Sequence, residues 1–260
     1  MTGPRRRERD AVEIRGDYQA RALESEWAAQ RFWHAAKIRL MDRVAPPAPE
    51  ARVADAGCGS GVIADHLARS AGHVTGFDSN PAAVEHGVAA YPRSNLRFVL
   101  GPFERMRDHA PFDHIVCLEV LEHLYLEQAE ATLRLFAEVA APGATLFVTT
   151  PNARSLWPAI EWLLDRSGLV PTLDEAQHLT LFSAGALRAC CERAGWEVEE
   201  LGSFNGLAPF LAPVSESLAC GVERAEFVAR RWLPLNLLYC RARRPASAPA
   251  GTGGQREPAG

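Results

Sequence analysis

The sequence lacks the features that mark secreted, membrane-spanning and nucleic-acid-binding proteins. No apolar run follows the N-terminal arginines, so no signal peptide is predicted. The longest apolar stretches are short and broken by proline or charge, which argues against a bilayer span. A net charge of −4 gives no field that would attract nucleic acid phosphates, and six cysteines in 260 residues do not suggest a disulfide framework. We expect a cytoplasmic protein with at most peripheral membrane contact.

Short apolar runs alternate with amphipathic segments through most of the chain. Predicted strands lie at 52–56, 73–77, 96–100, 114–118, 144–150, 197–201 and 235–241. Several are almost continuously apolar, which favours burial on both faces of a parallel sheet. Strands and helices in alternation predict an α/β fold with a doubly wound, mostly parallel, seven-stranded sheet. Ligands bind such sheets beyond the carboxyl ends of the strands.

One domain is predicted over residues 18–244, between two ends without core-forming composition. Residues 1–17 are rich in charge, and residues 245–260 are rich in proline, alanine and glycine, so both ends are predicted to be disordered. A helical region at 18–44 and an apolar, proline-containing insertion at 205–232 interrupt the strand–helix alternation. Both are candidate lids over the site.

A glycine-rich segment follows the first predicted strand, and we call residues 57–61 the glycine turn. Gly57, Gly59 and Gly61 let the backbone approach a ligand closely. Their G-x-G-x-G spacing differs from the G-x-G-x-x-G of a dinucleotide site, and Asp55 before them would repel a pyrophosphate but suit a cation. Asp78 ends the second strand, where an acid can bind both ribose hydroxyls. The pattern indicates a nucleoside ligand without phosphate.

A second polar cluster follows the fourth predicted strand, and we call residues 119–123 the acidic turn. Glu119, Glu122 and His123 are spaced so that one helical turn would place all three on one face. Two adjacent carboxylates repel each other unless they are protonated or bridged by a cation. Two oxygens and an imidazole suit a divalent metal. The alternative, a polar helix start, explains His123 poorly.

From Tyr18 to Arg243 the chain resembles class I S-adenosylmethionine-dependent methyltransferases, on the glycine turn and the acid after the second strand. This resemblance implies a Rossmann-like methyltransferase fold with helical lid segments and S-adenosylmethionine as cofactor. It places Asp55, Gly57 and Gly59 against the methionine part of the cofactor, and Asp78 with Ser79 at the ribose.

The segment Cys-Leu-Glu-Val-Leu-Glu-His at 117–123 is similar to that of ubiquinone-biosynthesis O-methyltransferases. This likeness implies a cofactor contact from the backbone of Leu118, a contact between Arg39 and the cofactor carboxylate, and a magnesium-type metal on Glu119, Glu122 and His123. The family's usual acid for the adenine is replaced by a Gly-Pro-Phe sequence at 101–103. The adenine is therefore expected against the backbone and the Phe103 ring, or within reach of Glu104.

The resemblance implies O-methylation of a small aromatic, catechol-type or lipid-linked hydroxyl compound. A metal would lower the pKa of the acceptor hydroxyl. Glu122, as one of the implied metal ligands, would then take part in catalysis. Without a metal, His123 or His178 could act as the general base. The amphipathic segment at 155–166 and the apolar segment at 205–214 fit either core contacts or a channel for a greasy acceptor.

Three other functions stay open. RNA 3′-terminal 2′-O-methyltransferases share the acidic triplet and add a later histidine, for which His178 is the only candidate, but the acidic net charge disfavours RNA. A nicotinamide-dependent oxidoreductase is disfavoured by the glycine spacing. A non-catalytic nucleoside-binding protein would share the cofactor motifs. The identity of the acceptor and the oligomeric state are not predicted.

Overall fold

The computed structural model describes residues 17–155 and 179–246. Its strands are β1 (Arg52–Ala56), β2 (His73–Asp78), β3 (Leu96–Leu100), β4 (Phe112–Leu118), β5 (Ala140–Pro151), β6 (Glu197–Phe204) and β7 (Leu237–Arg243). Its α-helices are α1 (Tyr18–Leu23), α2 (Ala28–Val44), α3 (Val62–Leu67), α4 (Pro81–Ala90), α5 (Leu126–Val139), α6 (Ala184–Arg193), α7 (Ala208–Leu211) and α8 (Glu216–Ala229), with 3₁₀ helices at Phe103–His109 and Leu121–His123.

The strands form one sheet in the order β3-β2-β1-β4-β5-β7-β6. The first five strands run parallel, whereas β7 lies antiparallel between β5 and β6. The predicted doubly wound, mostly parallel, seven-stranded fold is therefore confirmed. The chain order reverses direction between β1 and β4, so the carboxyl ends of these strands open the crevice where a ligand is expected.

The two faces of the sheet carry separate hydrophobic clusters because side chains alternate along each strand. In β4, Ile115 and Cys117 belong to the cluster under α5 and α6, and Val116 and Leu118 belong to the cluster under α2 and α3. All four side chains are buried. Burial on both faces explains why residues 115–118 of this strand are apolar without interruption.

Helix α5 follows the fourth strand and carries its apolar stripe inward. Leu133 and Phe136 are fully buried in the cluster between α5 and the sheet. Tyr125 is the N-cap before the helix, and its backbone N–H donates to the Gln128 side chain at 3.0 Å. The helix ends at Val139, and the chain enters β5 directly.

The insertion at 205–232 contains α7 and α8, which pack on α2 rather than forming an irregular apolar loop. Phe32 of α2 shares a small buried cluster with Ala208, Ala212 and Ala219. The buried Glu226 carboxylate accepts backbone N–H groups at the start of α7, including that of Leu207 at 2.6 Å. The role of this insertion as a lid stays a prediction.

Several sequence predictions lie outside the described residues. These are the disordered ends over 1–16 and 247–260, the amphipathic segment from residue 156 onwards, and His178. Within the ranges that the structure describes, no helix is long and apolar enough to cross a bilayer.

Candidate active site

The glycine turn connects β1 to α3 at the carboxyl edge of the sheet. It is hydrogen-bonded to the neighbouring strand, because the Phe77 carbonyl of β2 accepts the N–H groups of Gly57 and Cys58 at 2.8 and 3.0 Å. Cys58 fills the space under the turn and is buried. The sequence places the turn at the end of β1, and pairing with β2 fixes its height above the sheet.

Gly57 marks the point where the glycine turn meets the acidic turn. Its φ of +78° lies in the left-handed region, which residues with a Cβ rarely adopt. A Cβ at Gly57 would lie 2.4 Å from Cγ2 of Val120, which belongs to the acidic turn. Glycine is therefore required here both by the backbone and by the neighbouring side chain.

Asp78 holds the glycine turn against the end of β2. Its Oδ2 accepts the backbone N–H of Gly59 at 2.8 Å, and its Oδ1 accepts the N–H of Asn80 at 2.9 Å. Asn80, not Asp78, caps α4, by accepting the N–H of Ala82. A carboxylate oxygen can accept more than one hydrogen bond, so Asp78 keeps acceptor capacity for a ligand hydroxyl.

Asp55 is the most buried acid at this turn, with 2% of its surface exposed. Within the described part of the chain, its Oδ2 atom accepts no hydrogen bond. Burial, and next the nearby charge of Asp78, raise the pKa of the Asp55 carboxyl to about 7. Asp55 thus supplies, beside the glycine turn, a carboxyl oxygen that has no hydrogen-bond donor among the described residues. Such a group suits a cationic ligand.

Helix α1 lies over the glycine turn. The backbone N–H of Ala20 donates to Ser60 Oγ at 3.1 Å, and the Gln19 side chain lies directly above Gly59. The cleft beneath has a volume of about 20 Å³ and is lined by Gln19, Leu23, His34, Lys37, Val62, Ile63 and Leu118. Leu118, a predicted cofactor contact, is therefore a wall of this cleft.

The acidic turn does not form the predicted α-helical turn, and that prediction is wrong. Glu119 has a φ of +55°, and its N–H donates to the Thr149 carbonyl at 3.0 Å, which extends the strand pairing by one residue. Only Leu121–His123 turn, as a 3₁₀ helix. The left-handed residue changes the chain direction, so Glu119 does not stack one helical turn below Glu122 and His123. Such strained backbone is typical of functional sites.

Glu122 is buried beneath the acidic turn, with 1% of its surface exposed. Thr150 of β5 donates its hydroxyl to Glu122 Oε2 at 3.0 Å. Burial, and next the charge of Glu119, raise the pKa of Glu122 to about 8. The Glu122 backbone carbonyl accepts N–H groups from Leu179 and Thr180, so the chain that follows His178 is anchored here. His123 is half-buried beside it.

Lys37 of α2 was not identified from the sequence and faces the acidic turn. Its Nζ lies 2.5 Å from Glu119 Oε2 and 3.4 Å from His34 Nδ1. Burial, and next the Lys37 charge, lower the pKa of His34 to about 4, so this imidazole is neutral at pH 7. The only sequence signal for Lys37 is its residue type, because it is the chain's single lysine.

The acidic turn does not fit the implied metal site. Glu119 is already paired with an ammonium group, and Glu122 is held by Thr150. Across residues 17–155 and 179–246, no group of three or more His, Cys, Asp or Glu side chains is arranged to hold a metal ion. An ammonium group beside Glu119 would also repel a divalent cation.

Arg39 pairs with a residue of α8 in the structure, and its predicted contact with the cofactor carboxylate stays a prediction. Arg39 lies two residues beyond Lys37 on α2 and so points to another side of the helix. Its guanidinium pairs with Glu223 of α8 at 2.7 Å and lies over the Phe32 ring. It lines a separate cavity of about 240 Å³ between α2 and α8.

The remaining predicted cofactor contacts lie along the same edge. Ser79 is exposed beside Asp78. The half-buried Phe103 ring packs edge-to-face on Phe136, with centroids 5.7 Å apart, so the core fixes its position. Glu104 is exposed and follows Phe103 in the 3₁₀ helix. The adenine contact of Phe103 or Glu104 stays a prediction.

Residues 27–201 match the family model described as a methyltransferase domain. The chain is 32% identical over 180 residues to a probable S-adenosylmethionine-dependent methyltransferase of Mycolicibacterium smegmatis, which covers 69% of this chain and 65% of that protein. It is 33% identical over 184 residues to a ubiquinone biosynthesis O-methyltransferase of Xylella fastidiosa, with 68% and 74% covered. The chain thus spans about two thirds to three quarters of these relatives.

The fold matches that of the magnesium protoporphyrin IX methyltransferase of Synechocystis PCC 6803, solved with bound S-adenosylhomocysteine. The TM-score is 0.60 at 17% identity, and the match covers 88% of this chain and 94% of the other. At this identity the likeness concerns the fold alone.

Proposed function

The chain belongs to the methyltransferase domain family, and from this premise we propose that it transfers the methyl group of S-adenosylmethionine to a hydroxyl oxygen. The proposed acceptor is a small aromatic, catechol-type or lipid-linked molecule, in keeping with the similarity to the ubiquinone biosynthesis O-methyltransferase of Xylella fastidiosa. The observation that carries the proposal is the buried Oδ2 of Asp55 beside the glycine turn, which accepts no hydrogen bond from the residues that the structure describes. A cationic nucleoside is the ligand that such a turn suits.

The described residues fit the cofactor. Gly57 and Gly59 offer backbone without side chains, and Asp78 offers carboxylate oxygens that already orient the turn. Asp55 places a carboxyl group where a positive charge would be stabilised. Leu118 lines the wall of the cleft beside the glycine turn. S-adenosylmethionine supplies a methyl group that its sulfonium has already activated.

The protein must then align the acceptor oxygen and remove its proton. Alignment alone supplies several kcal/mol of barrier reduction, roughly 7–11 in the best intramolecular cases. We assign proton removal to His123, which is half-buried at the acidic turn, with His178 as the alternative base. Glu122 holds this turn through its bond from Thr150 and through its carbonyl. Imidazole suits this task at neutral pH.

Calorimetry tests cofactor binding, and transfer of a radioactive methyl group tests catalysis. S-adenosylhomocysteine should bind the wild-type chain and bind Asp55→Asn and Asp78→Asn more weakly. Asp108→Asn is the matched control, because its carboxylate is exposed and pairs only locally with Arg105. A well-folded wild-type sample that gives no heat with either form of the cofactor would overturn the proposal.

The acceptor class is tested with a panel of a catechol, its prenylated analogue, an aliphatic alcohol and a short RNA with a free 3′-terminal ribose. Transfer to the catechols supports the proposal, whereas transfer to RNA alone replaces it with ribose methylation. His123→Ala and His178→Ala, compared at equal cofactor saturation, identify the base as the variant that loses kcat. If both keep wild-type turnover, neither histidine is the base.

A further inference from the structure

Lys37 is the only lysine in the chain, and the other 27 basic residues are arginines. Its side chain is buried, with 6% exposed, in the wall of the cleft between α2 and the carboxyl end of β4. A single lysine among many arginines would need no explanation if its side chain were exposed. Here it is buried beside Glu119, and its charge also acts on Glu122.

The contacts of Lys37 are those of a charge-balancing group. Its Nζ donates to Glu119 Oε2 at 2.5 Å. His34 Nδ1 lies 3.4 Å away, and an ammonium group has donors only, so this ring nitrogen is the acceptor. Glu122 lies three residues beyond Glu119 and adds a second carboxyl group. Two acids at one turn need a cation or a proton.

We propose that the ammonium group of Lys37 is the permanent cation of the acidic turn, in the place that a divalent metal is expected to occupy. While Lys37 is present, Glu119 is engaged and a dication is repelled. The acidic turn therefore holds its left-handed geometry without metal. A lysine suits this position because its charge is compact, whereas the planar arginine fork requires more space.

Titration with Mn²⁺, followed by electron paramagnetic resonance, tests this directly on the full chain. Mn²⁺ binding by the wild-type protein and by Glu119→Gln should be the same. Lys37→Met keeps the length of the side chain but removes its charge, and it should bind one Mn²⁺ at least tenfold more tightly than wild type. The double variant Lys37→Met/Glu119→Gln should lose that gain.

Arg69→Met is the matched control. Arg69 also pairs with a buried acid, Asp65, at 2.8 Å, but it lies at another ion pair in which Arg93 remains. Its removal should create no Mn²⁺ site. Equal Mn²⁺ binding by Arg69→Met and Lys37→Met would overturn the proposal, because the gain would then follow from any lost positive charge.

A second measurement uses the wild-type chain alone and does not depend on how well Lys37→Met folds. Growth on lysine labelled with ¹³C at Cε gives a single side-chain methylene signal, because the chain has one lysine. If stoichiometric Mn²⁺ broadens this signal at all, the broadening should be the same in wild type and in Glu119→Gln. Broadening in wild type that Glu119→Gln abolishes would place a metal at the acidic turn and overturn the proposal.

Methyl transfer gives a third readout, which rests on the proposed function. Turnover of the wild-type chain should be unchanged by a chelator, and a chelator-sensitive enzyme would contradict the role of Lys37. The Mn²⁺ measurements need no acceptor. A failed methyl-transfer assay would therefore leave the assignment of Lys37 standing, and Mn²⁺ binding at Glu119 would refute that assignment without affecting the methyltransferase proposal.

Discussion

A carboxyl group is buried at each of two turns of the sheet edge: Asp55 of β1 lies beside the glycine turn, and Glu122 lies within the acidic turn after β4. At the glycine turn, the charge nearest to Asp55 is another acid, Asp78, so the negative charge is left for a ligand to balance. At the acidic turn, Lys37 supplies a cation from within the protein. At one edge of the sheet, the glycine turn is therefore the proposed site of a cationic ligand, whereas the acidic turn pairs with a cation of the protein itself.

The first prediction concerns the contact between these turns. Gly57→Ala should lower the free energy of unfolding by roughly 2–5 kcal/mol, because the left-handed backbone costs about 1–2 kcal/mol and overpacking about 1–3 kcal/mol. Overpacking arises against Val120, whose Cγ2 would lie 2.4 Å from the new Cβ. Urea denaturation measures the loss. If the two turns are coupled, adding Val120→Ala should recover the overpacking part in a double-mutant cycle.

Gly195→Ala is the matched control for Gly57→Ala. Gly195 has a φ of +91°, but a Cβ there would have no neighbour within 4 Å. Only the backbone cost of about 1–2 kcal/mol should appear. Should Gly57→Ala prove no more destabilising than Gly195→Ala, the two turns would not be sterically coupled.

The second prediction separates binding by the glycine turn from its folding. Asp78→Asn replaces the acceptor of the Gly59 N–H with a neutral amide, and it removes a charged acceptor for ligand hydroxyls. Hydrogen bonds to charged groups contribute about 1.5–3 kcal/mol, so calorimetry should show cofactor affinity falling roughly tenfold to 100-fold. Binding by Asp78→Asn as tight as that by Asp108→Asn would mean that Asp78 only closes the turn.

The third prediction contrasts the two buried acids by their response to pH. In the ligand-free protein the pKa of Asp55 is about 7, above its unfolded value, so its contribution to stability is present below about pH 4 and is lost as pH rises through 7. A cationic ligand favours the ionised carboxylate. Below pH 7 binding must therefore release the Asp55 proton, and affinity should fall by up to about tenfold per pH unit.

Calorimetry between pH 8 and 5.5 checks this prediction. The slope is taken as the difference between wild type and Asp55→Asn, because the amino group of the ligand also titrates near this range. Glu122→Gln should keep the wild-type slope, since the Glu122 carboxyl is tied to Thr150 and not left for the ligand. A slope that Glu122→Gln removes and Asp55→Asn retains would reverse the roles of the two turns.

The sequence was most informative where chemistry follows directly from strand order. Asp55 and Asp78 end adjacent parallel strands, so their meeting at one edge could be predicted once β1 and β2 were located. Buried strands such as β4 could be identified because both of their faces are apolar. The glycine spacing, in turn, reports a close backbone approach that does not depend on distant contacts.

The sequence was least informative where the geometry depends on one backbone dihedral or on a contact between distant residues. The spacing of Glu119 and Glu122 favours a helix, but strand pairing to Thr149 carries Glu119 into the left-handed region. Lys37 and Glu119 are 82 positions apart, and the family resemblance pointed to Arg39 and not to Lys37. Only the direction in which α2 packs decides which of these basic residues faces the cleft.

The smallest predicted effect concerns the covering of the glycine turn, which has no described counterpart at the acidic turn. Ser60→Ala removes the acceptor of the Ala20 N–H, and a hydrogen bond of this kind contributes about 0.5–1.5 kcal/mol. The Ala20 amide should exchange its hydrogen roughly tenfold faster, and cofactor release should accelerate by a similar factor. Ser70→Ala is the matched control, because that hydroxyl bonds only to the Leu67 carbonyl of its own turn. If the Ala20 amide exchanges at an unchanged rate in Ser60→Ala, α1 is held over the turn by side-chain packing of Gln19 instead. Gln19→Ala would then be the variant that opens the cleft.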